Sequence, residues 1–182
     1  RLRPAAVVLF ENNEYNLFEI ERELRGKHPD LVLHAYLGDV RDRASVVRAF
    51  EHFTPQVVFH AAAYKHVPML ESQAREAVRN NVLGTRLMAQ TADRFGCEAF
   101  VMISTDKAVN PANVMGASKR VAEIYCQSFA KRSRTRFITV RFGNVLGSAG
   151  SVIPIFQKQI KAGGPVTVTH PDITRYFMTI PE

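Results

Sequence analysis

Residues 99–142 read AFVMISTDKAVNPANVMGASKRVAEIYCQSFAKRSRTRFITVRF, and this stretch decides the fold. It opens on a short apolar run, Ala99–Ser104, and closes on another, Arg136–Phe142. Between them, Val114–Arg132 repeats apolar residues at helical spacing. Strand, helix and strand in that order predict a right-handed βαβ crossover and a parallel pair. Near-continuous apolar strands fit a sheet covered on both faces.

The alternation continues on both sides. Upstream, Ala5–Phe10 (AAVVLF), Leu31–Leu37 and Gln56–Ala61 predict strands. Tyr15–Gly26 predicts a helix with Leu17, Ile20 and Leu24 at helical spacing. Arg43–Phe50 predicts one with Ala44, Val46, Val47 and Phe50 inward. A long helical stretch is expected from about Met69 to Phe95. Downstream, Val152–Lys161 predicts a helix and Val166–Thr169 a short strand. The fold class is therefore α/β, a Rossmann-like doubly wound parallel sheet.

The chain has 182 residues, 46% of them hydrophobic and 23% charged, which is globular composition and argues against disorder. A net charge of +7 favours anionic partners without choosing among phosphates, nucleotides, nucleic acid or an acidic membrane. Most such charges are solvated surface. Cys97 and Cys126 are too few for a disulfide framework or a four-thiolate zinc site. They read as reduced, partly buried thiols of an intracellular protein, and no metal site is expected. No apolar run approaches the ~18 residues that a bilayer span needs, and no signal peptide is apparent. The chain opens at Arg1 and ends at Pro181-Glu182, which reads as an excerpt of something longer.

Several strand ends carry chemistry. Glu11 closes the first strand, where a carboxylate can accept hydrogen bonds from an adenosine ribose and repel a 2′-phosphate, favouring NAD over NADP. Alone, it is more often a surface carboxylate. The glycine loop of such a unit belongs about 20 residues earlier, so both it and its strand are expected to be missing. Gly143, Gly147 and Gly150 offer G-x-x-x-G-x-x-G instead of G-x-G-x-x-G, and read as a substrate loop. Asp39 and Val40 could meet an adenine, although a helix cap is an equal reading of Asp39. Ala61, Ala62 and Ala63 let a flat ring approach the end of the third strand. Lys65 and His66 form a polar rim there, a lone histidine being more often structural than catalytic.

The most informative run is Ser104-Thr105-Asp106-Lys107, followed by Met115-Gly116-Ala117-Ser118-Lys119. A hydroxyl, an acid and an amine stand together at a strand end. A second lysine follows Met115 by four residues on a helix face.

These segments resemble the extended short-chain dehydrogenase/reductase superfamily, and within it the CapD/WbpM-type polysaccharide-biosynthesis proteins, which are nucleotide-sugar 4,6-dehydratases. HAAAYKHVPMLE, NNVLGT, STDKAVNPANVMGASKR, RFGNVLGSAGSVIPIF and HPDITRYFMTIPE carry the likeness over most of the chain from residue 58 onwards. FENNEYNLFEIEREL and GDVRD also fit. Met115 stands where the superfamily has a catalytic tyrosine, a variant of the large membrane-anchored branch and of its retaining dehydratases.

The resemblance implies a partial NAD(P)-binding domain over residues 1–182, with 143–182 beginning the substrate-binding part. It implies C4 oxidation of a UDP-sugar, most closely UDP-N-acetylglucosamine, loss of water across C5 and C6, and hydride return to C6. Thr105 would then hold the C4 oxygen, Asp106 act as general acid and Lys107 as general base. Lys119 would bind the nicotinamide ribose, supported by Asn81, while Met115 cannot take a proton. Arg141, Asn144 and Arg175 would surround the diphosphate. A UDP-sugar epimerase is the enzymatic alternative, and a catalytically incompetent fragment is the other. Nucleic acid is not expected, since no stacking motif accompanies the scattered cations. The resemblance places the protein in the cytoplasm, or at the cytoplasmic face of the inner membrane through a segment absent from this chain. An oligomer of identical chains is compatible with it.

Overall fold

The computed structural model describes residues 2–147, 152–168, 170–172 and 174–179. Strand β1 (Ala6–Glu11) leads through helix α1 (Glu14–Lys27) to β2 (Val32–Leu37), and the two strands pair in parallel, Ala6 opposite Val32 and Glu11 opposite Leu37. Helix α2 (Arg43–Phe53) leads to β3 (Val57–His60). A helical run then passes through α3 (Val67–Ser72), α4 (Ala74–Ala77), a π-helical segment (Val78–Gly84) and α5 (Thr85–Arg94). Strand β4 (Ala99–Thr105) ends in a 3₁₀ turn, Asp106–Ala108, and α6 (Val114–Ala130) returns the chain to β5 (Arg136–Phe142). β3, β4 and β5 form one parallel ladder in that order. Two short strands, β6 (Asn144–Val145) and β7 (Phe177–Met178), pair in parallel, and α7 (Val152–Lys161) lies between them in sequence.

Local chemistry explains the helix starts. Asn13, Asp42 and Asn113 each accept backbone N–H bonds at the first turns of α1, α2 and α6, satisfying donors that the helix itself cannot. The core forms where α2, α5 and α6 cover the ladder of β3 and β4. Val46, Ala89, Ala92, Phe100, Met102 and Ala122 have no measurable exposure. Phe100 is central, with His60 at 5.6 Å and Phe137 at 5.3 Å between ring centres. Cys97 and Cys126 are free, buried thiols, as expected.

Four sequence expectations shift. In α2 the buried stripe is Ser45, Val46, Ala49 and Phe50, a helical i, i+1, i+4, i+5 face, while Ala44 is exposed and Val47 only half-buried. In α1 only Leu17 is buried, and Ile20 is 37% exposed. The helical stretch expected from about Met69 to Phe95 is present, but it is interrupted at Gln73, whose φ of −130° leaves helical space, and widened at the π segment. Residues 166–168 form no strand, because the Gln159 side chain takes the Thr167 backbone N–H at 3.1 Å. Thr169 and Gly150 lie outside the described residues. Among the described residues, no helix is long and apolar enough to cross a membrane.

Candidate active site

β4 delivers Thr105 to the carboxyl end of the sheet, and the 3₁₀ turn folds the next two side chains back beside it. Thr105 Oγ1 donates to Asp106 Oδ1 at 2.9 Å and accepts the Lys107 backbone N–H at 3.3 Å. Lys107 Nζ donates to the same Asp106 Oδ1 at 3.0 Å and to Asn144 Oδ1 at 3.3 Å. Burial pushes the Asp106 carboxyl up, but the bonds from Lys107 and Thr105 outweigh it and hold the group below its ordinary value. Thr105, Asp106, Lys107 and Asn144 thus form one connected, half-buried cluster. Its position depends on close helix packing: a Cβ on Gly116 of α6 would lie 2.3 Å from the Lys107 carbonyl oxygen.

Below this cluster sits Lys119, 4% exposed, donating to the Ile103 carbonyl at 2.7 Å. Burial pushes its amine down to about 8, with the Glu123 charge acting in the opposite direction. Met115, one turn earlier, is 5% exposed and packs with Leu70 and Ala77. Its thioether is a packing group.

Asn81 lies in the π segment and is fully buried. It donates to the Tyr64 carbonyl and Ser118 Oγ and accepts from the Tyr64 and Asn80 nitrogens, at 2.8 to 3.1 Å. It therefore clamps the loop after β3 to α6, and its described partners do not include Lys119. Thr85 donates to the Asn81 carbonyl and so accepts from His60 Nε2, which fixes the proton on that nitrogen. Burial, then the Lys119 charge, pushes His60 down to about 3, so it is neutral.

Other expected site residues are placed less simply. Glu11 ends β1 with Oε1 accepting from Asn13 N at 2.9 Å. Ala61 is exposed and Ala62 and Ala63 are half-buried after β3, leaving backbone open to a flat ligand. Asp39 is gripped by Arg41, whose Nε lies 3.0 Å from both carboxylate oxygens and whose Nη2 lies 2.6 Å from Oδ2. That pairing, above all, holds its carboxyl low. Val40 is 6% exposed and belongs to the core. Lys65 and His66 are exposed on the loop into α3. Arg175 is exposed and donates to the Thr174 carbonyl at 2.8 Å.

Arg141 departs furthest from its expected place at the diphosphate. Its Nε and Nη2 fork onto Glu123 of α6 at 2.9 and 2.6 Å. Glu123 has no measurable exposure and also accepts from Arg120 at 3.0 Å. Burial raises its carboxyl, but Arg141, Ser104 and Arg120 together bring it down to about 2. The Ser104 hydroxyl is near enough to contribute yet short of full hydrogen-bond geometry. Glu123 and His60 are site residues that sequence reasoning missed. The signal for Glu123 was a lone acid on the buried face that also carries Ala122, Cys126 and Phe129.

These residues fit a nicotinamide dinucleotide. Lys119 is a buried amine with a single described acceptor, the strand end beside it has small residues, and Glu11 Oε2 has no described partner. Among the described residues, no cluster of three His, Cys, Asp or Glu could hold a metal ion.

The family described as Polysaccharide biosynthesis protein matches residues 1–182. The chain is 55% identical over 181 residues to the probable polysaccharide biosynthesis protein EpsC of Bacillus subtilis, covering 99% of this chain and 30% of that protein. It is 50% identical over 181 residues to the capsular polysaccharide biosynthesis protein CapD of Staphylococcus aureus, covering 98% of this chain and 30% of CapD. A UDP-glucose 4-epimerase of Rickettsia canadensis is 42% identical over 151 residues, 81% of this chain and 44% of the epimerase. Among solved structures, Pen from Bacillus thuringiensis superposes with a TM-score of 0.89 at 38% identity, over 98% of this chain and 54% of that one. The dTDP-glucose 4,6-dehydratase DesIV of Streptomyces venezuelae, solved with NAD, superposes at 0.83 with 21% identity, over 97% of this chain and 60% of that one. The fold is thereby the Rossmann-type α/β fold of nucleotide-sugar dehydratases and epimerases.

Proposed function

This chain belongs to the polysaccharide biosynthesis protein family, and from that premise we propose that it carries the catalytic centre of an NAD-dependent nucleotide-sugar 4,6-dehydratase. The observation that carries the reading is the Thr105–Asp106–Lys107–Asn144 cluster. The chain spans 30% of the length of EpsC and CapD, so the activity is assigned to the full-length protein. UDP-N-acetylglucosamine is the proposed substrate.

Glu11, the small residues 61–63 and Lys119 would hold the dinucleotide, with Asp39 and Val40 at the adenine end, and Glu11 favours NAD over NADP. Bound NAD would take the C4 hydride and return it to C6, while the C4 hydroxyl proton leaves to water and over the cycle replaces the one that Asp106 gives away, and Lys107 hands its proton back to C5. Thr105 orients the C4 oxygen. A C4 ketone acidifies the C5 proton, which Lys107 removes, while Asp106 protonates the departing C6 hydroxyl. Those roles need neutral Lys107 and protonated Asp106. One proton moving along their 3.0 Å hydrogen bond converts the resting ion pair into that state, and excluding water from the site favours the neutral pair. Residues 143–182 begin the sugar-nucleotide side, with Asn144 in contact with Lys107 and with Lys65, His66 and Arg175 on the rim.

The test uses the full-length protein with UDP-N-acetylglucosamine, followed by mass spectrometry. A product lighter by one water supports dehydration, and Asp106→Asn or Lys107→Ala should lower its rate by about 10²–10⁴-fold. An isomer of unchanged mass would instead establish the second reading, an epimerase, which the Rickettsia relative favours. By the same family likeness we place the full-length protein in the cytoplasm or, through a segment outside residues 1–182, at the cytoplasmic face of the inner membrane, and an oligomer of identical chains is compatible with either. Fractionation and analytical ultracentrifugation test that placement.

A further inference from the structure

We infer that Glu123 is a positioning residue whose buried carboxylate keeps the Lys119 amine charged, and that Arg141 serves this carboxylate rather than the substrate's phosphates. The two residues of α6 are four positions apart, so they share one buried face of the helix. Lys119 is 4% exposed and Glu123 0%. A buried amine loses its hydration, and water cannot screen a carboxylate one helical turn away. The other titratable groups that act on or feel Lys119 are His60 of β3, held neutral by burial, and the Cys126 thiol of α6, pushed up to about 11 by burial and so neutral as well. Both oxygens of that carboxylate are already held by guanidinium groups, two bonds from Arg141 and one from Arg120. Glu123 is therefore locked in place and ionised, and it acts on Lys119 through charge rather than contact. Arg141 fixes the strength of that charge: it anchors the carboxylate and partly neutralises it.

The inference rests on the proposed role of Lys119, but its test reads Lys119 directly. The full-length protein is labelled with [ε-¹³C]lysine, the Lys119 resonance is assigned with Lys119→Arg, and its pH midpoint is followed by NMR. Glu123→Gln should lower the midpoint by about one unit or more. Arg141→Met should raise it, because a positive neighbour is removed while Arg120 still holds Glu123 ionised. Opposite shifts distinguish charge control from loosened packing, which would move both variants the same way. Midpoints that do not move, or that move together, overturn the inference, with thermal melting confirming that each variant is folded. If instead Arg141→Met raised KM for the sugar nucleotide and left the Lys119 midpoint in place, Arg141 would belong to the substrate. A protein that transforms no sugar nucleotide yet shows the two opposite shifts would sink the dehydratase reading and leave this inference standing.

Discussion

Lys119 carries a cost that pH can relieve. Its amine is held at about 8 in the fold against an ordinary 10.5, so between those values the unfolded chain binds a proton that the folded chain does not. Stability therefore rises as pH climbs from 8 to 10.5, and below 8 the full penalty applies, on the order of 3 kcal/mol. Lys119→Met should raise stability at pH 7 and abolish that alkaline rise, as read by urea denaturation across the range; loss of the bond to the Ile103 carbonyl will offset part of the gain. At this scale the sequence was a good guide to which side chains stand together and a poor one to what restrains them. The order Thr105-Asp106-Lys107 stands on one turn, so adjacency in sequence is adjacency in space. Asp39 and Arg141 look the same in sequence whether they face a ligand or a neighbour. Their partners, Arg41 and Glu123, are found only once the chain has folded.

At the scale of elements, α6 sits against the turn that carries Asp106 and Lys107, with Gly116 packed on the Lys107 carbonyl so closely that a Cβ has no room. Gly116→Ala must displace the Lys107 backbone. It should cost about 1–3 kcal/mol and lower turnover by more than the stability loss explains, as paired melting and kinetic assays would show. His60 links β3 to the helical layer through Thr85. It is held neutral at about 3 against an ordinary 6.5, so the unfolded chain gains a proton below pH 6.5 that the fold refuses. Stability is lost as pH falls from 6.5 towards 3, by about 1.4 kcal/mol per unit, and His60→Gln should remove that contribution to the slope in acid titrations followed by circular dichroism. The strands and crossovers of residues 5–142 were legible, because apolar runs and helical periods differ over windows of that length. The break at Gln73 and the π segment were not, since neither contains a glycine–proline signal strong enough to interrupt a period. Strands β6 and β7, two residues each, are too short to show a period at all.

Over the whole molecule, one aromatic holds the layers together. Phe100 has no exposure and meets rings from β3 and β5, so its side chain joins all three strands of the main ladder. Phe100→Ala should cost about 3–5 kcal/mol, a large share of the ~5–15 kcal/mol that holds a typical domain folded. The expected result is a folding midpoint lowered in denaturant, or protein recovered only as aggregate. The α/β class was legible at this scale because it depends on the order of many elements, each separately readable. The pairing of β6 with β7 depends on contacts across more than thirty residues, which no local pattern records.

The π segment Val78–Gly84 also constrains which insertions and deletions the gene can tolerate. A π turn holds one residue more than the α-helix around it, so losing a single codon within 78–84 would let the backbone relax into ordinary helix. The helices on either side would keep their phase, because the extra residue was taken up inside the widened turn, but the side chains within the turn would change places. The altered chain would fold into a more regular helix, yet Asn81 could no longer reach both Tyr64 and Ser118. Length variation among natural versions of this chain should therefore avoid these seven positions, while substitutions on their outward face remain free.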